Sequence, residues 1–354
     1  MKGILLHGGH GTRLRPLTHT GPKQLLPIAN KPMSEYCIQT MKEAGVTDIA
    51  IVIGGIGSEK VKEYYENGDK FGVNIKYIKQ DYPKGIADAI NLCKNFIGSE
   101  KFLVFLGDNI ISKSISEFAY EFENSNADAS ILLCEVDNPS RFGIANVIDK
   151  KIVEIIEKPK NPPTNLAVTG IYFLTPKIFE IIHKLKPSWR NELEITDGLD
   201  MLLKENDNIT YYTITDYWKD TGTPEDIIHA NKTILEKSTG RIQGEVSENT
   251  KKQGIIIIEK GAVIENNVEL IGPVLIGQNS IIKEGSKIGP NTSIGNECVI
   301  SKVKIRDSII MNNCKILINS NLVNSIISSN SELSLKQESD EKTFLLGEGT
   351  KILF

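Results

Sequence analysis

Residues 7–16, HGGHGTRLRP, place three glycines within four positions directly behind the apolar run Gly3-Ile4-Leu5-Leu6, and two arginines follow. Glycines after a strand let the backbone approach a ligand, and their N–H groups cradle phosphate oxygens. The Arg13 guanidinium just behind the loop suits a polyphosphate better than a neutral ligand. The pattern is neither of the common phosphate loops: a dinucleotide fingerprint needs a third glycine where Leu14 stands, and a Walker loop ends in Gly-Lys-Ser/Thr. A tight strand-to-helix turn carrying a solvated arginine would leave the same letters. A second candidate is Asp108, in the turn Gly107-Asp108-Asn109 that closes the apolar run Lys101 to Leu106. In open α/β sheets the ligand crevice lies at the carboxyl ends of the strands, so a carboxylate there is a candidate site group. An N-cap or Asx turn would explain the same Asp without a ligand.

Short apolar runs alternate with helical patterns over the first two-thirds of the chain. Strands are predicted over Lys2 to Leu6, Asp48 to Ile53, Asn74 to Ile78 and Lys101 to Leu106. Helices are predicted over about Ser34 to Ala44, Glu59 to Tyr65 and Ile86 to Asn95. Such alternation indicates an α/β sheet. A different pattern begins near Gly254. Steps of six from Ile258 meet Ile264, Leu270, Ile276, Ile282, Ile288, Ile294 and Ile300; the series breaks at Arg306 and resumes with Ile310, Ile316 and Leu322. Four residues after each of the first seven stand Ala262, Val268, Val274, Ser280, Ser286, Thr292 and Cys298. One buried aliphatic per short strand, with a compact neighbour at each corner, is the pattern of a parallel β-helix. The expected division is a first domain over 1–240, a polar junction over 241–253, the repeat domain over 254–335 and a tail over 336–354, whose Phe344 and Leu345 would cover the open end of the stack.

The chain has 354 residues, 40% hydrophobic and 24% charged, with a net charge of −4. That length allows a large core and two domains, and the acidic balance argues against general nucleic-acid binding, so the phosphate ligand is expected to be a small molecule. The first apolar run is too short for a signal-peptide core, and no stretch approaches the about 20 apolar residues of a membrane span, so a cytoplasmic protein is expected. Five cysteines, Cys37, Cys93, Cys134, Cys298 and Cys314, are odd in number and show no CxxC spacing, which indicates neither a disulfide framework nor a zinc site.

Seven stretches in order carry a resemblance: GGHGTRLRPLTHTGPKQLLPIANKPM at 8–33, LGDN at 106–109, RFGIANV at 141–147, EKP at 157–159, AVTGIYFL at 167–174, ELEITD at 192–197 and WKDTGTPED at 218–226. Over residues 1 to about 235 the chain resembles the sugar-1-phosphate nucleotidylyltransferases. Within them it looks most like the glucose-1-phosphate thymidylyltransferase branch, to which Lys-Gln-Leu-Leu-Pro at 23–27 belongs. The fold implied is α/β, a Rossmann-like mixed or parallel sheet, followed by a C-terminal left-handed parallel β-helix. The reaction implied is attack of glucose 1-phosphate on the α-phosphorus of dTTP, with UTP as the alternative nucleotide, and departure of pyrophosphate. A phosphate monoester with a second pKa of about 6 is already an anionic nucleophile at pH 7, so cations rather than a general base must do the work.

Carried onto this chain, the resemblance makes Arg13, Lys23, Asp108, Lys158 and Asp220 the catalytic set, with Asp108 and Asp220 coordinating Mg²⁺ and Arg13 and Lys23 neutralising the β- and γ-phosphates. Leu6, Gly8, Gly9, Gly11, Thr12 and Arg13 would surround the nucleotide, with Gln80, Gly85 and Gly8 at the base. Asn109, Gly143, Glu157, Lys158, Val168 and Thr169 would form the sugar-phosphate pocket. Surface placement of Lys23 and Lys158, a turn cap for Asp220, a solvated strand end for Gln80, and helix N-terminal charge for Glu192 and Glu194 are the ordinary alternatives. The chain departs from the family at His7, where Ala is usual, and at Lys84, where Asp is frequent. Hexapeptide domains in some relatives transfer acetyl groups with a His base. All five histidines here, His7, His10, His19, His183 and His229, precede the repeat, so a structural, oligomer-forming β-helix is expected instead. A non-catalytic regulatory chain would lack the carboxylates and cations, which are all present.

Overall fold

A computed structural model describes residues 1–9, 11–334, 349 and 351. The chain divides into two units: residues 1–11, 18–25 and 33–220 form the first, and residues 12–17, 26–32 and 221–354 the second.

The first unit is built on a nine-stranded sheet. Its centre is four parallel strands in the order Phe102–Leu106, Lys2–His7, Asp48–Ile53 and Asn74–Lys79. Runs such as Ile4-Leu5-Leu6, at most 5% exposed, are apolar on both faces because both faces are covered. The sheet continues antiparallel through Leu166–Leu174, which pairs Phe102–Leu106 on one side and Ala129–Glu135 on the other. The hairpin of Gly143–Ile148 and Lys151–Glu157 completes the edge. The sheet is therefore mixed. Helices Met33–Glu43 and Glu59–Tyr65 stand where the spacing puts them; Met33, Cys37, Ile38 and Met41 form one buried stripe. The predicted helix over 86–95 is split into Ile86–Leu92 and Lys94–Ile97, because Cys93 N–H bonds back three residues to the Ile90 carbonyl and tightens the turn. All five cysteines are buried and free.

The second unit contains three stacks of parallel strands, two of six and one of five. Every aliphatic of the hexad series from Ile258 to Ile300 is at most 2% exposed, and the small residues from Ala262 to Cys298 are equally buried. At the break the inward position falls one residue early, on Ile305, and Arg306 lies exposed at the end of Lys304–Arg306. Two consecutive five-residue sides, Ile300 to Ile305 and Ile305 to Ile310, absorb the irregularity without interrupting the pairing of Ile288 with Ile305, of Ile294 with Ile310 and of Ile305 with Leu322. Residues 241–253, expected as a junction, already supply the first strand of each stack: Arg241–Ile242, Glu245–Val246 and Lys251–Gln253. Apart from exposed Ile242 and Val246, which packs against the inward aliphatics, their side chains are polar, so hydropathy alone could not reveal them. The helix Pro224–Glu236, opened by a capping box at Thr223, groups with the stacks as well, placing the change of unit at 220/221. Fully buried Asn231 fastens it: its Oδ1 accepts from Ala29 N–H and Ser293 Oγ, both at 2.9 Å, and its Nδ2 donates to the Asn291 carbonyl. The expected tail over 336–354, with Phe344 and Leu345, lies outside the described residues apart from Gly349 and Lys351. Among the described residues no helix is long and apolar enough to cross a membrane.

Candidate active site

The carboxyl ends of the central strands of the first unit converge on a cleft of about 200 Å³. Leu6, Gly8 and Gly9 line it from the end of Lys2–His7, and Leu106 and Asp108 from the end of Phe102–Leu106. Gln80 and Gly85 follow the strand Asn74–Lys79. Gln24, Val52, Ile86, Ala89 and Glu192, not singled out by the sequence as cleft residues, complete much of the wall. Gly85 has φ +105°, and a Cβ there would stand 2.4 Å from the Leu193 carbonyl oxygen, so only glycine lets the loop before helix Ile86–Leu92 meet that segment.

Two sequence-distant carboxylates meet one ammonium. The short strand Trp218–Asp220 pairs antiparallel with Asn109–Ile111, setting Asp220 opposite Asn109. Lys23, from the 3-10 turn Lys23–Leu25, contacts Asp108 Oδ2 and lies 4.0 Å from Asp220 Oδ1. Burial would raise the Asp108 carboxyl, but the Lys23 charge and hydrogen bond, with help from Asn109, hold it below its ordinary 3.8. Asn109 is 3% exposed and fixes the corner. Its Nδ2 donates to Asp108 Oδ1 at 2.9 Å, and its Oδ1 accepts from Gly170 N–H at 3.2 Å and Trp218 Nε1 at 2.7 Å. Trp218 thus braces Asn109 by a hydrogen bond.

A second cluster forms on the edge hairpin. Glu157 lies opposite Gly143 in the strand pairing; its Oε1 is 3.0 Å from Lys158 Nζ and its Oε2 accepts from Thr196 Oγ1 at 2.9 Å. A Cβ on Gly143 would come within 2.5 Å of Thr196 Cγ2, so the bare backbone makes this close approach possible. Arg190 links the cluster to the cleft: it pairs with Glu192 on the cleft wall and with Glu194, and reaches Glu157 at 3.9 Å. Glu194, 2% exposed, accepts from Ser188 Oγ and Arg190 Nε; it makes no side-chain cap on the helix Ile195–Lys204 that it precedes. Its partner is the arginine. Val168 and Thr169 lie buried on Leu166–Leu174 where the pairing with Ala129–Glu135 shifts register, and Thr169 Oγ1 has no hydrogen-bond partner among the described residues. Arg190, Thr196 and Gln24 lie inside quoted motifs or beside them, yet nothing in their spacing marks them as site residues.

The glycine loop is divided. Gly8, Gly9 and Gly11 belong to the first unit, whereas Thr12 and Arg13, exposed on the 3-10 turn Thr12–Leu14, group with the second. His7 ends its strand at 1% exposure, edge-on to Tyr65, with neither ring nitrogen hydrogen-bonded among the described residues. Burial holds its pKa at about 3 despite the nearby Asp108 charge, so the imidazole is neutral at pH 7 and only weakly basic. Lys84 is exposed, and its carbonyl accepts from Leu193 N–H.

A parallel-centred α/β sheet with a glycine loop at its first strand and paired acids at strand ends defines a class of phosphate-handling transferase. The family described as Nucleotidyl transferase matches residues 2–237, and that described as GMPPB C-terminal domain matches residues 270–352. The chain belongs to the nucleotidyl transferase family. It is 40% identical over 355 residues to the low-salt glycan biosynthesis nucleotidyltransferase Agl11 of Haloferax volcanii, and 37% identical over 355 residues to a glucose-1-phosphate thymidylyltransferase of Streptomyces antibioticus, with 99% of each chain covered in both cases. A crystal structure from Bacillus anthracis, assigned as a glucose-1-phosphate thymidylyltransferase and solved with sucrose, is 42% identical with a TM-score of 0.64, covering 68% of this chain and 98% of that one.

Proposed function

We propose that the protein transfers a thymidylyl group from dTTP to glucose 1-phosphate and releases pyrophosphate. The observation that carries this reading is the Lys23 ammonium shared by Asp108 and Asp220 beside a cleft whose wall bears the Gln80 amide. Leu6, Val52, Ile86 and Ala89 give that cleft an apolar wall for a pyrimidine ring, including the C5 methyl of thymine. The likeness to thymidylyltransferases over 99% of the chain supports the same nucleotide.

The chemistry requires two anions to be held in line rather than a proton to be removed. In this reading Lys158 holds the sugar phosphate while the adjacent Glu157 carboxylate accepts from sugar hydroxyls. Thr196 and Arg190 keep that carboxylate in place. Asn109, Gly143, Val168 and Thr169 shape the same pocket. Lys23 offsets charge on the β- and γ-phosphates as pyrophosphate departs. Asp108 and Asp220 already share one cation and are oxygen donors of the kind a hard divalent ion takes together with phosphate oxygens. They would hold Mg²⁺, which supplies charge neutralisation at the phosphates when bound. Pyrophosphate release measured with dTTP, UTP, dCTP, ATP and GTP against several sugar 1-phosphates tests the reading. The expected optimum is dTTP with glucose 1-phosphate; a kcat/KM for UTP more than about tenfold above that for dTTP, a difference of about 1.4 kcal/mol, would replace it by uridylyl transfer.

A further inference from the structure

Gln80 is 7% exposed and directly follows the strand Asn74–Lys79. Its Nε2 lies 2.8 Å from Asp88 Oδ2 and 3.4 Å from the Gly85 carbonyl oxygen. An ionised carboxylate and a peptide oxygen are both pure acceptors. The nitrogen of the amide must therefore face them, a chemical constraint that fixes which way the side chain is turned. The amide oxygen is left on the other side. A Cβ built on Gly8 would stand 3.6 Å from Gln80 Oε1, and Gly8, Gln80 and Gly85 line the same cleft. No described residue donates a hydrogen bond to this oxygen. Asp88, the third residue of helix Ile86–Leu92, thus decides that the buried amide shows the cleft an acceptor and not a donor.

We infer that Asp88 is a specificity-determining positioning residue: by orienting Gln80 it selects nucleobases that carry a ring imide N–H, thymine and uracil among the pyrimidines, and rejects cytosine. The inference rests on the reading of this cleft as the nucleotide site. Thymine and uracil present N3–H as a donor to Gln80 Oε1. Cytosine N3 is itself an acceptor, so its nitrogen lone pair would face the oxygen lone pairs of the buried Gln80 amide. A buried polar group left unmatched in this way discriminates by about tenfold to a hundredfold.

Two substitutions separate orientation from folding. In Asp88→Asn the new side chain can donate or accept, so Gln80 is released to turn either way. In Asp88→Lys the new side chain only donates, which favours the amide oxygen toward residue 88 and the amide nitrogen toward the cleft. The experiment compares kcat/KM for pyrophosphate release from dTTP, UTP and dCTP with glucose 1-phosphate, and calorimetric binding of dTTP and dCTP, for the full-length wild type and both variants. The readout is the dTTP/dCTP ratio within each protein, which a loss of folded material leaves unchanged. The wild type is expected to favour dTTP and UTP over dCTP by at least about tenfold, with the ratio falling about tenfold in Asp88→Asn and further in Asp88→Lys. Ratios that stay within about twofold of wild type in both variants, or a wild type that uses dCTP as readily as dTTP, would overturn the inference while leaving nucleotidyl transfer intact. Conversely, a wild type that uses GTP, whose N1–H is also a donor, and not dTTP would sink the thymidylyl reading and uphold selection of an imide N–H.

Discussion

Replacing Lys23 by methionine keeps the side-chain stem and removes one charge from between two carboxylates. Lys23 contacts Asp108 and lies 4.0 Å from Asp220, and the side chains of Lys23 and Asp108 are only 14% and 15% exposed. Two unit charges about 4 Å apart interact by about 4 kcal/mol at an effective dielectric near 20, and removal of one member of a buried pair costs about 3–5 kcal/mol. The Lys23→Met protein should therefore lose about 3 kcal/mol of stability at pH 7. Its pH dependence has a defined sign. In the wild type, burial raises the Asp108 carboxyl but Lys23 more than offsets this and holds it below 3.8. That group stabilises the fold above its unfolded pKa, and the contribution is lost as pH falls through the lower folded value. Without Lys23, burial raises the folded pKa above the unfolded one, and the destabilisation then grows as pH rises. The deficit is thus largest at pH 7 and shrinks toward pH 4. Urea unfolding of wild type, Lys23→Met, Asp108→Asn and the double variant at both pH values measures it, with pyrophosphate release alongside. The double variant should regain most of the stability and none of the activity. A deficit equal at both pH values, or a double variant as unstable as Lys23→Met, would refute the charge pairing.

Asp220→Asn, which removes one of the two carboxylates facing Lys23, should lower kcat by about a hundredfold or more with an unchanged circular dichroism spectrum; a near wild-type kcat at limiting Mg²⁺ would remove Asp220 from the site. Lys158→Met, which strips the ammonium 3.0 Å from Glu157, should raise KM for the sugar 1-phosphate about tenfold and leave KM for the nucleotide unchanged, and the opposite pattern would move Lys158 to the nucleotide. His7, whose pKa falls from 6.5 to about 3 through burial, should make the wild type lose stability as pH falls from 6.5 toward 3, by up to about 1.4 kcal/mol per unit; urea titrations of His7→Ala should show a slope shallower by that amount, and an unaltered slope would place a solvated imidazole there. Truncation before Arg241 takes Ile257 and Leu275 away from Ala29 and Leu235, and calorimetry should show a thermal midpoint lower by about 5 °C or more; an unchanged midpoint would mean that this packing contributes nothing.

Much of the fold was legible because its signals are local. Strands buried on both faces read as continuous apolar runs, and the hexad series reports one inward aliphatic per side of the stack. The first turn of the stack was not legible, since Arg241–Ile242, Glu245–Val246 and Lys251–Gln253 are held by backbone pairing with only Val246 packed against the inward aliphatics, too little to extend the hexad signal. In the site, Asp108 could be read from its position at a strand end. Its relation to Lys23 and Asp220 depends on the pairing of Trp218–Asp220 with Asn109–Ile111 across more than half the first unit. Arg190 and Asp88 were missed for a related reason. Each acts on another side chain, Arg190 on Glu157 and Glu194, Asp88 on Gln80, and a positioning contact leaves no spacing signature of its own.

Oxygen tracing tests the central claim most directly. Glucose 1-phosphate carrying ¹⁸O at all non-bridging phosphate positions is incubated with dTTP and the wild-type protein, and the products are weighed by mass spectrometry, with Asp108→Asn run in parallel. Attack of the sugar phosphate on the α-phosphorus predicts dTDP-glucose that retains every labelled oxygen, unlabelled pyrophosphate, and almost no product from Asp108→Asn. Label in the released phosphate or pyrophosphate, or equal product from Asp108→Asn, would contradict the account.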